Sequence, residues 1–475
     1  MVFSSLTFLF VFLPLCVLAY FIVPSKYVLV RKYILMIFSI IFYASGEPVY
    51  VFLIVASVLI TYLLSQQVEK KNTFVFVISI IMILLPLGVF KYSNFAIDNT
   101  NRLLHLDIPG VNFVMPIGIS FYTFQILTYV IDLYRGQVKR QSNVGLLTLY
   151  IFFFPQLIAG PIVKYADIEQ SLSTSNENWD RVKEGVKRFL IGLSKKVIIA
   201  NQIGAIVDQI QGMDFNRVST SAMWLASIAF TIQLYFDFSG YSDMAIGLGK
   251  VFGFDFKENF KSPYLSMSVS DFWRRWHISM GSFFKEYIYI PLGGSHKGRI
   301  RWMLNILIVW AVTGLWHGAN WNFVAWGLYY AILLMLEKIV VGKILNALPK
   351  FFSWSYTFFL TIIGWTLFMW DTNSFHYMCD HVLRLFTQGE DVYPLAFTIS
   401  MLGIKSDILY LILGIIIATP VGKWLWGRIG RLVGTKLIES TLYDVAHDVV
   451  FIIMFLICIV FLVGETFNPF IYFRF

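Results

Sequence analysis

Apolar positions in this sequence gather into long unbroken runs instead of alternating with polar ones. Leu6 to Val23 is followed by runs at Tyr33 to Ala44, Val49 to Leu64, Phe74 to Phe90, Ile117 to Leu133, Leu146 to Val163, Val186 to Ile206 and Ala222 to Phe238. Later runs lie at Trp302 to Trp316, Phe323 to Leu336, Trp354 to Trp370, Ile408 to Trp426 and Val449 to Val463. Such runs suit helices crossing about 30 Å of hydrocarbon, and some are too short or too broken by Gly and Pro to cross alone. The pattern predicts an all-α polytopic membrane protein with roughly ten to twelve transmembrane helices. A barrel is excluded, since it needs short alternating strands. Leu6 to Val23 lacks a basic start and a small-residue cleavage site, so it reads as a retained span and not a signal peptide.

Three stretches depart from simple spans. Asn176 to Lys196 places Trp179, Val182, Val186, Phe189, Leu190 and Leu193 at helical spacing beside Lys183, Lys187, Arg188, Lys195 and Lys196. It reads as an interfacial cytoplasmic helix running into a span. Asp237 to Gly294 mixes acids, glycines, Trp and Arg, which predicts re-entrant, irregular backbone lining a cavity. Asp371 to Asp407 reads as a polar external loop. Basic residues in short loops set orientation: Lys26, Arg31 and Lys32, then Lys70 and Lys71, then Arg135, Lys139 and Arg140 read as cytoplasmic. Arg428, Arg431 and Lys436 repeat the signal, placing the segment Glu465 to Phe475 outside the cell.

Composition narrows the class further. Of the 475 residues 58% are hydrophobic and only 14% charged, against about 25% charged in soluble domains, so one soluble core is ruled out. The net charge of +9 is what basic cytoplasmic loops produce. No basic run interleaves with aromatics, and nucleic-acid binding is not expected. Cys16, Cys379 and Cys458 are too scattered for a disulfide framework. His376, Cys379 and His381 fit no standard zinc spacing, so no metal is expected.

Ionisable groups in apolar sequence carry the candidate chemistry. His317 closes an apolar helix within Gly314-Leu315-Trp316-His317-Gly318-Ala319-Asn320-Trp321, where Gly314 and Gly318 admit a close neighbour. Imidazole, with an ordinary pKa of about 6.5, exchanges protons near neutrality. It reads either as a catalytic base or as an interfacial histidine among tryptophans. His277 follows Ser270-Asp271-Phe272-Trp273-Arg274-Arg275-Trp276, in which Ser270 or Asp271 would cap a helix whose one face carries Trp273 and His277. Arg274 and Arg275 would hold an anionic donor or snorkel to headgroups. Asp237 and Asp243 would orient a histidine, hold charged donor groups, or pair with nearby Lys and Arg. Asp132, Glu47, Glu337 and Asp371 read as solvated span ends, and His105, His296 and His447 as loop residues. No phosphate-cradling glycine loop or serine-hydrolase elbow occurs.

Taken together, Met1-Val2-Phe3-Ser4-Ser5 with Phe8 to Pro14, Phe154-Pro155-Gln156-Leu157-Ile158-Ala159-Gly160-Pro161-Ile162, Tyr235 to Asp243, Asp271 to His277 and Trp316 to Trp321 resemble the membrane-bound O-acyltransferase family. Within it the resemblance is to the alginate O-acetylation and peptidoglycan O-acetyltransferase type, and it covers almost the whole chain. It implies one membrane domain over 1–475: N-terminal spans at 1–163, a catalytic core at 164–343, a later span, external loop and cytoplasmic link at 344–448, and a last span with an extracytoplasmic segment at 449–475. The implied architecture is a helical ring around a central funnel, in a bacterial cytoplasmic membrane. The implied roles are His317 as catalytic histidine with His277 as its partner. Acetyl-CoA is the implied donor, held by Arg274, Arg275, Trp316 and Asn320. A separate extracytoplasmic SGNH-type transferase would deliver the acyl group to a polysaccharide.

Phe470-Ile471-Tyr472-Phe473-Arg474-Phe475 resembles the ending of the small membrane peptide of teichoic acid D-alanylation, which implies that Tyr472 carries the acyl group transiently. The alternative for this segment is an aromatic interfacial anchor. Competing readings of the whole chain are direct transfer to a bound lipid or glycan hydroxyl, and a glycan transporter or flippase.

Overall fold

The computed structural model describes residues 1–158, 160–370, 374–389, 392–421, 424, 428, 441–464 and 470–471. Among them the chain is helical, with a single isolated bridge between Val218 and Tyr393. In chain order the helices are α1 Leu13–Ile22, α2 Val28–Ala44, α3 Val51–Glu69, α4 Thr73–Leu104, α5 Ile119–Arg135, α6 Val144–Phe152, α7 Tyr165–Ser173, α8 Trp179–Ser194, α9 Asn201–Gln211 and α10 Thr220–Val251. They continue as α11 Val269–Arg275, α12 Ile278–Phe284, α13 Arg299–His317, α14 Trp321–Leu336, α15 Lys350–Met369, α16 Phe375–Leu383, α17 Leu395–Leu402, α18 Asp407–Ala418 and α19 Thr441–Gly464.

Six helical stretches among the described residues are long and apolar enough to cross a membrane, and a seventh arises if α17 and α18, bent by 112°, form one span. Phe8–Ile22 and Asp448–Gly464 are shorter apolar helices. The apolar runs are more numerous because some are spent on protein interior. In α5 every residue from Ile119 to Val130 is buried, the mark of a helix enclosed by protein and not by lipid. The run from Leu146 to Val163 stops as α6 at Phe152, where Pro155 opens a separate turn. Elsewhere large apolar residues such as Phe52, Leu63, Phe74 and Ile300 stay exposed, as a lipid-facing surface requires.

The chain divides into two compact units, residues 1–189 with 241–258, and residues 190–240 with 259–475. The first is organised around a cluster of phenylalanines, Phe8, Phe12, Phe42 and Phe154, packed mostly edge to face or tilted with ring centroids 5.4–6.2 Å apart. Arg31 and Lys32 are not loop residues: they lie inside α2, buried, 3.4 and 4.0 Å from the Glu177 carboxylate. Paired burial of this kind is how charges persist in an apolar interior. Asp132 is likewise buried, not solvated.

In the second unit the seam between α13 and α14 is backbone against backbone. A Cβ at Gly314 would sit 2.2 Å from the Phe323 carbonyl oxygen, and one at Gly327 would sit 2.2 Å from that of Trp310. Glycine is required at both positions. The polar stretch from Asp371 forms α16 and α17 instead of an open loop, while Asp371 itself lies outside the described residues. His447 belongs to α19 and not to a loop, and Arg431, Lys436 and the residues after Gly464, apart from Phe470 and Ile471, lie outside the described residues. The stretch from Asp237 is regular helix as far as Val251; irregular backbone begins at Phe252.

Candidate active site

The segment carrying His277 is held at both ends. At its start the true N-cap of α11 is Ser268, not Ser270 or Asp271: its hydroxyl accepts the Asp271 amide at 3.0 Å. The remaining free amides are taken by Glu337, which accepts from Val269 N at 2.5 Å and from Ser270 N at 2.9 Å, and also from the Ser270 hydroxyl at 2.8 Å. Glu337 is therefore buried and structural, not a solvated span end. A carboxylate at a helix N-terminus also faces the favourable end of the helix dipole.

At its end α11 stops at Arg275, Trp276 is extended, and His277 adopts a left-handed conformation with φ +45°. Trp273 and His277 therefore do not share a helical face; His277 opens the next helix. Its Nδ1 accepts the Met280 amide at 3.4 Å, capping α12. Asn259 secures the turn, its carbonyl accepting from Ile278 N at 3.0 Å and its Oδ1 from Ser279 N and Oγ at 3.1 and 2.9 Å. With Nδ1 an acceptor, the proton of neutral His277 belongs on Nε2, which is buried without a hydrogen-bond partner among the described residues. His277 lies outside the membrane-crossing stretches, and burial pushes its pKa down to about 3, so the ring is neutral near pH 7.

His317 is the last residue of α13 and is buried. Its ring meets Trp316, Trp326 and Phe368 edge to face at 4.9, 5.0 and 5.2 Å. Trp316 is common to both histidines, its ring 6.0 Å from that of His277. The box continues through Trp326, Trp365, Trp276 and Trp273, with centroids 4.9–6.4 Å apart. Such aromatic walls exclude water and strengthen local electrostatics.

Beside this box lies a cavity of about 370 Å³, whose lining includes Trp273, Arg274, Ile278, Lys285, Trp310 and Thr313. Its size is at the small end for ligand sites, about 300–1,000 Å³. Thr313 is one turn before His317 and Ile278 follows His277, so the cavity adjoins both motifs. Arg274 and Lys285 give it positive charge, although Arg274 also reaches Asp271 at 3.4 Å. Arg275 pairs with Asp271 at 3.0 Å, and Asn320 occupies the N-cap position of α14 without a side-chain cap bond. Buried Trp273 Nε1 and Trp326 Nε1 have no hydrogen-bond partner among the described residues, which suits a polar group bound there. No His, Cys, Asp and Glu cluster able to hold a metal occurs among the described residues.

Both candidate acids are paired, each within its own unit: Asp243 with Arg188 at 2.5 Å, and Asp237 with Lys196 at 2.6 Å. Tyr472 lies outside the described residues, but its neighbours Phe470 and Ile471 are buried in the second unit. Glu337, Asn259 and Ser268 were not legible as site residues. Ser268 alone left a trace, a cap residue just before Val269-Ser270-Asp271, whereas Glu337 and Asn259 act across long sequence separations.

Residues 121–379 match the sequence model of the membrane-bound O-acyltransferase family. The chain is 38% identical over 381 residues to a protein named probable alginate O-acetylase AlgI from Pseudomonas syringae pv. tomato, covering 78% of this chain and 72% of that one. It is 33% identical over 408 residues to the peptidoglycan O-acetyltransferase of Helicobacter pylori, covering 78% and 77%. Identity to the teichoic acid D-alanyltransferase of Bacillus subtilis is 26% over 333 residues, covering 68% and 80%.

Proposed function

Since this chain belongs to the membrane-bound O-acyltransferase family, and is a multi-pass membrane O-acyltransferase, we propose that it moves an acetyl group from cytoplasmic acetyl-CoA across a bacterial cytoplasmic membrane. The final acceptor is an extracytoplasmic polysaccharide, reached through a separate SGNH-type transferase. The names of the alginate and peptidoglycan relatives support this acceptor class. In this reading the donor reaches the site from the cytoplasmic side, and the segment after α19 lies on the outer face.

The observation that carries the proposal is His317, buried at the end of α13 inside a box of tryptophans, sharing Trp316 with His277 beside a cationic cavity. His317 takes the phenolic proton of Tyr472, whose ordinary pKa of about 10 makes it a poor nucleophile unaided. The phenolate oxygen attacks the thioester carbonyl, the carbon–sulfur bond breaks, and the departing thiolate takes the proton back from the imidazolium. Tyr472 is left as an O-acetyl ester for the external transferase. Arg274, Arg275, Trp316 and Asn320 hold the donor, and neutral His277 supplies an Nε2 proton as hydrogen-bond donor to the developing charge.

The test is release of free CoA from acetyl-CoA by the purified chain in nanodiscs, with labelled acetate followed onto the protein. Release that vanishes in His317→Ala, with label at Tyr472 in the parent, is expected. Equal release by both proteins would overturn the role of His317.

A further inference from the structure

A buried acid and lysine in an apolar protein need a reason to stay. Lys196 and Asp237 are 5% and 1% exposed, and their ion pair sets the ammonium 2.6 Å from one carboxylate oxygen, Oδ1. The other, Oδ2, accepts the backbone amide of Ile471 at 2.8 Å. Phe470 lies beside Lys196 and Phe238, its ring 5.9 Å from the Lys196 ammonium and 5.7 Å from the Phe238 ring. Phe238 in turn meets His277 edge to face at 4.7 Å.

The surrounding backbone is shaped to bring these groups together. Lys196 lies in a widened π-helical turn, Lys195–Ala200, between α8 and α9, a feature that often marks functional positions. A Cβ on Gly240 would stand 2.8 Å from the Gly192 carbonyl and 3.2 Å from both the Lys195 Cβ and the Lys196 amide, so the Gly240 turn of α10 packs directly on that stretch. Asp237, three residues before Gly240, thereby meets Lys196.

We propose that Lys196 and Asp237 form a socket for an extended peptide segment, occupied by residues 470–471 of this chain, and act as positioning residues that set the register of Tyr472 against the histidine pocket. The inference deepens the acyl-relay reading and rests on it only for the purpose of the socket. Recognition is by main chain: a carboxylate fixed by a lysine accepts a peptide N–H, which any residue but proline supplies at position 471, while Phe470 supplies apolar bulk and a ring face for the ammonium. Lys196, 2.6 Å from Oδ1, holds the carboxylate aimed.

The experiment places a cysteine reporter at Ile471→Cys, which retains the donating amide, in a background with Cys16, Cys379 and Cys458 changed to Ser. Thiol labelling of residue 471 is timed in nanodiscs. Asp237→Asn and the double variant Lys196→Met with Asp237→Leu are compared with the parent; the second leaves no orphan charge and so guards against misfolding. Loss of a charge-assisted bond to the segment is expected to speed labelling about ten- to a hundredfold and to lower label retained on Tyr472 in proportion. Unchanged labelling in both variants would overturn the socket. Faster labelling with undiminished acetyl transfer upholds the socket and removes Tyr472 as the carrier, so the two ideas fail separately.

Discussion

Glu337 grips Ser270 twice, accepting its backbone amide at 2.9 Å and its hydroxyl at 2.8 Å. This side chain, at the end of α14, fixes the start of the helix that leads to His277. Glu337→Ala leaves buried donors unsatisfied, at a cost of about 1–3 kcal/mol for each group. We expect a lower melting temperature in detergent and a fall in kcat/KM of about a hundredfold through misplacement of the histidine turn. Parent-like values for both would remove Glu337 from any positioning role.

Substitution of the proposed base gives a different signature. His317→Ala should lose about a hundredfold to ten-thousandfold in CoA release, the range for general bases, while its melting temperature stays close to that of the parent. Single-turnover release in nanodiscs is the measurement.

His277 makes the acid side of the stability profile predictable. Its folded-state pKa of about 3 lies below the ordinary value, so between that value and about 6.5 the unfolded chain binds the proton more readily. The stability of the folded protein is thus fully present above about pH 6.5 and is lost progressively as pH falls toward 3, by up to about 1.4 kcal/mol per pH unit. Melting temperatures of the parent and of His277→Asn, taken from pH 4 to 8, should converge toward the acid end. A parent curve parallel to that of the variant would contradict a buried neutral imidazole.

Tyr472→Phe separates carrier chemistry from packing. It removes one hydroxyl, and we expect CoA release to fall to the level of simple thioester hydrolysis while Phe470 and Ile471 stay buried. Full polysaccharide acetylation in cells carrying this variant would sink the relay.

Helix content and the close packing at Gly314 were legible because apolar run length and small-residue spacing are local signals. The arrangement around His277 was not. A helix was expected to continue from Asp271 through His277, and nothing local announces the left-handed residue that ends it. Asp237 and Asp243 stood out as buried acids, yet their partners Lys196 and Arg188 lie 41 and 55 residues away, and a sequence does not say which cation arrives. Arg31 and Lys32 misled in the opposite direction: basic residues near a span end look like loop markers until Glu177 is seen to bury them.

The glycine seam between α13 and α14 limits how the protein can work. Two helices whose carbonyls meet where side chains would stand have no room to slide or ratchet, so they travel as one block. His317 at the end of one and Glu337 just beyond the other therefore keep a fixed spacing through any catalytic cycle. Any opening that a substrate needs must therefore come from elsewhere than this joint.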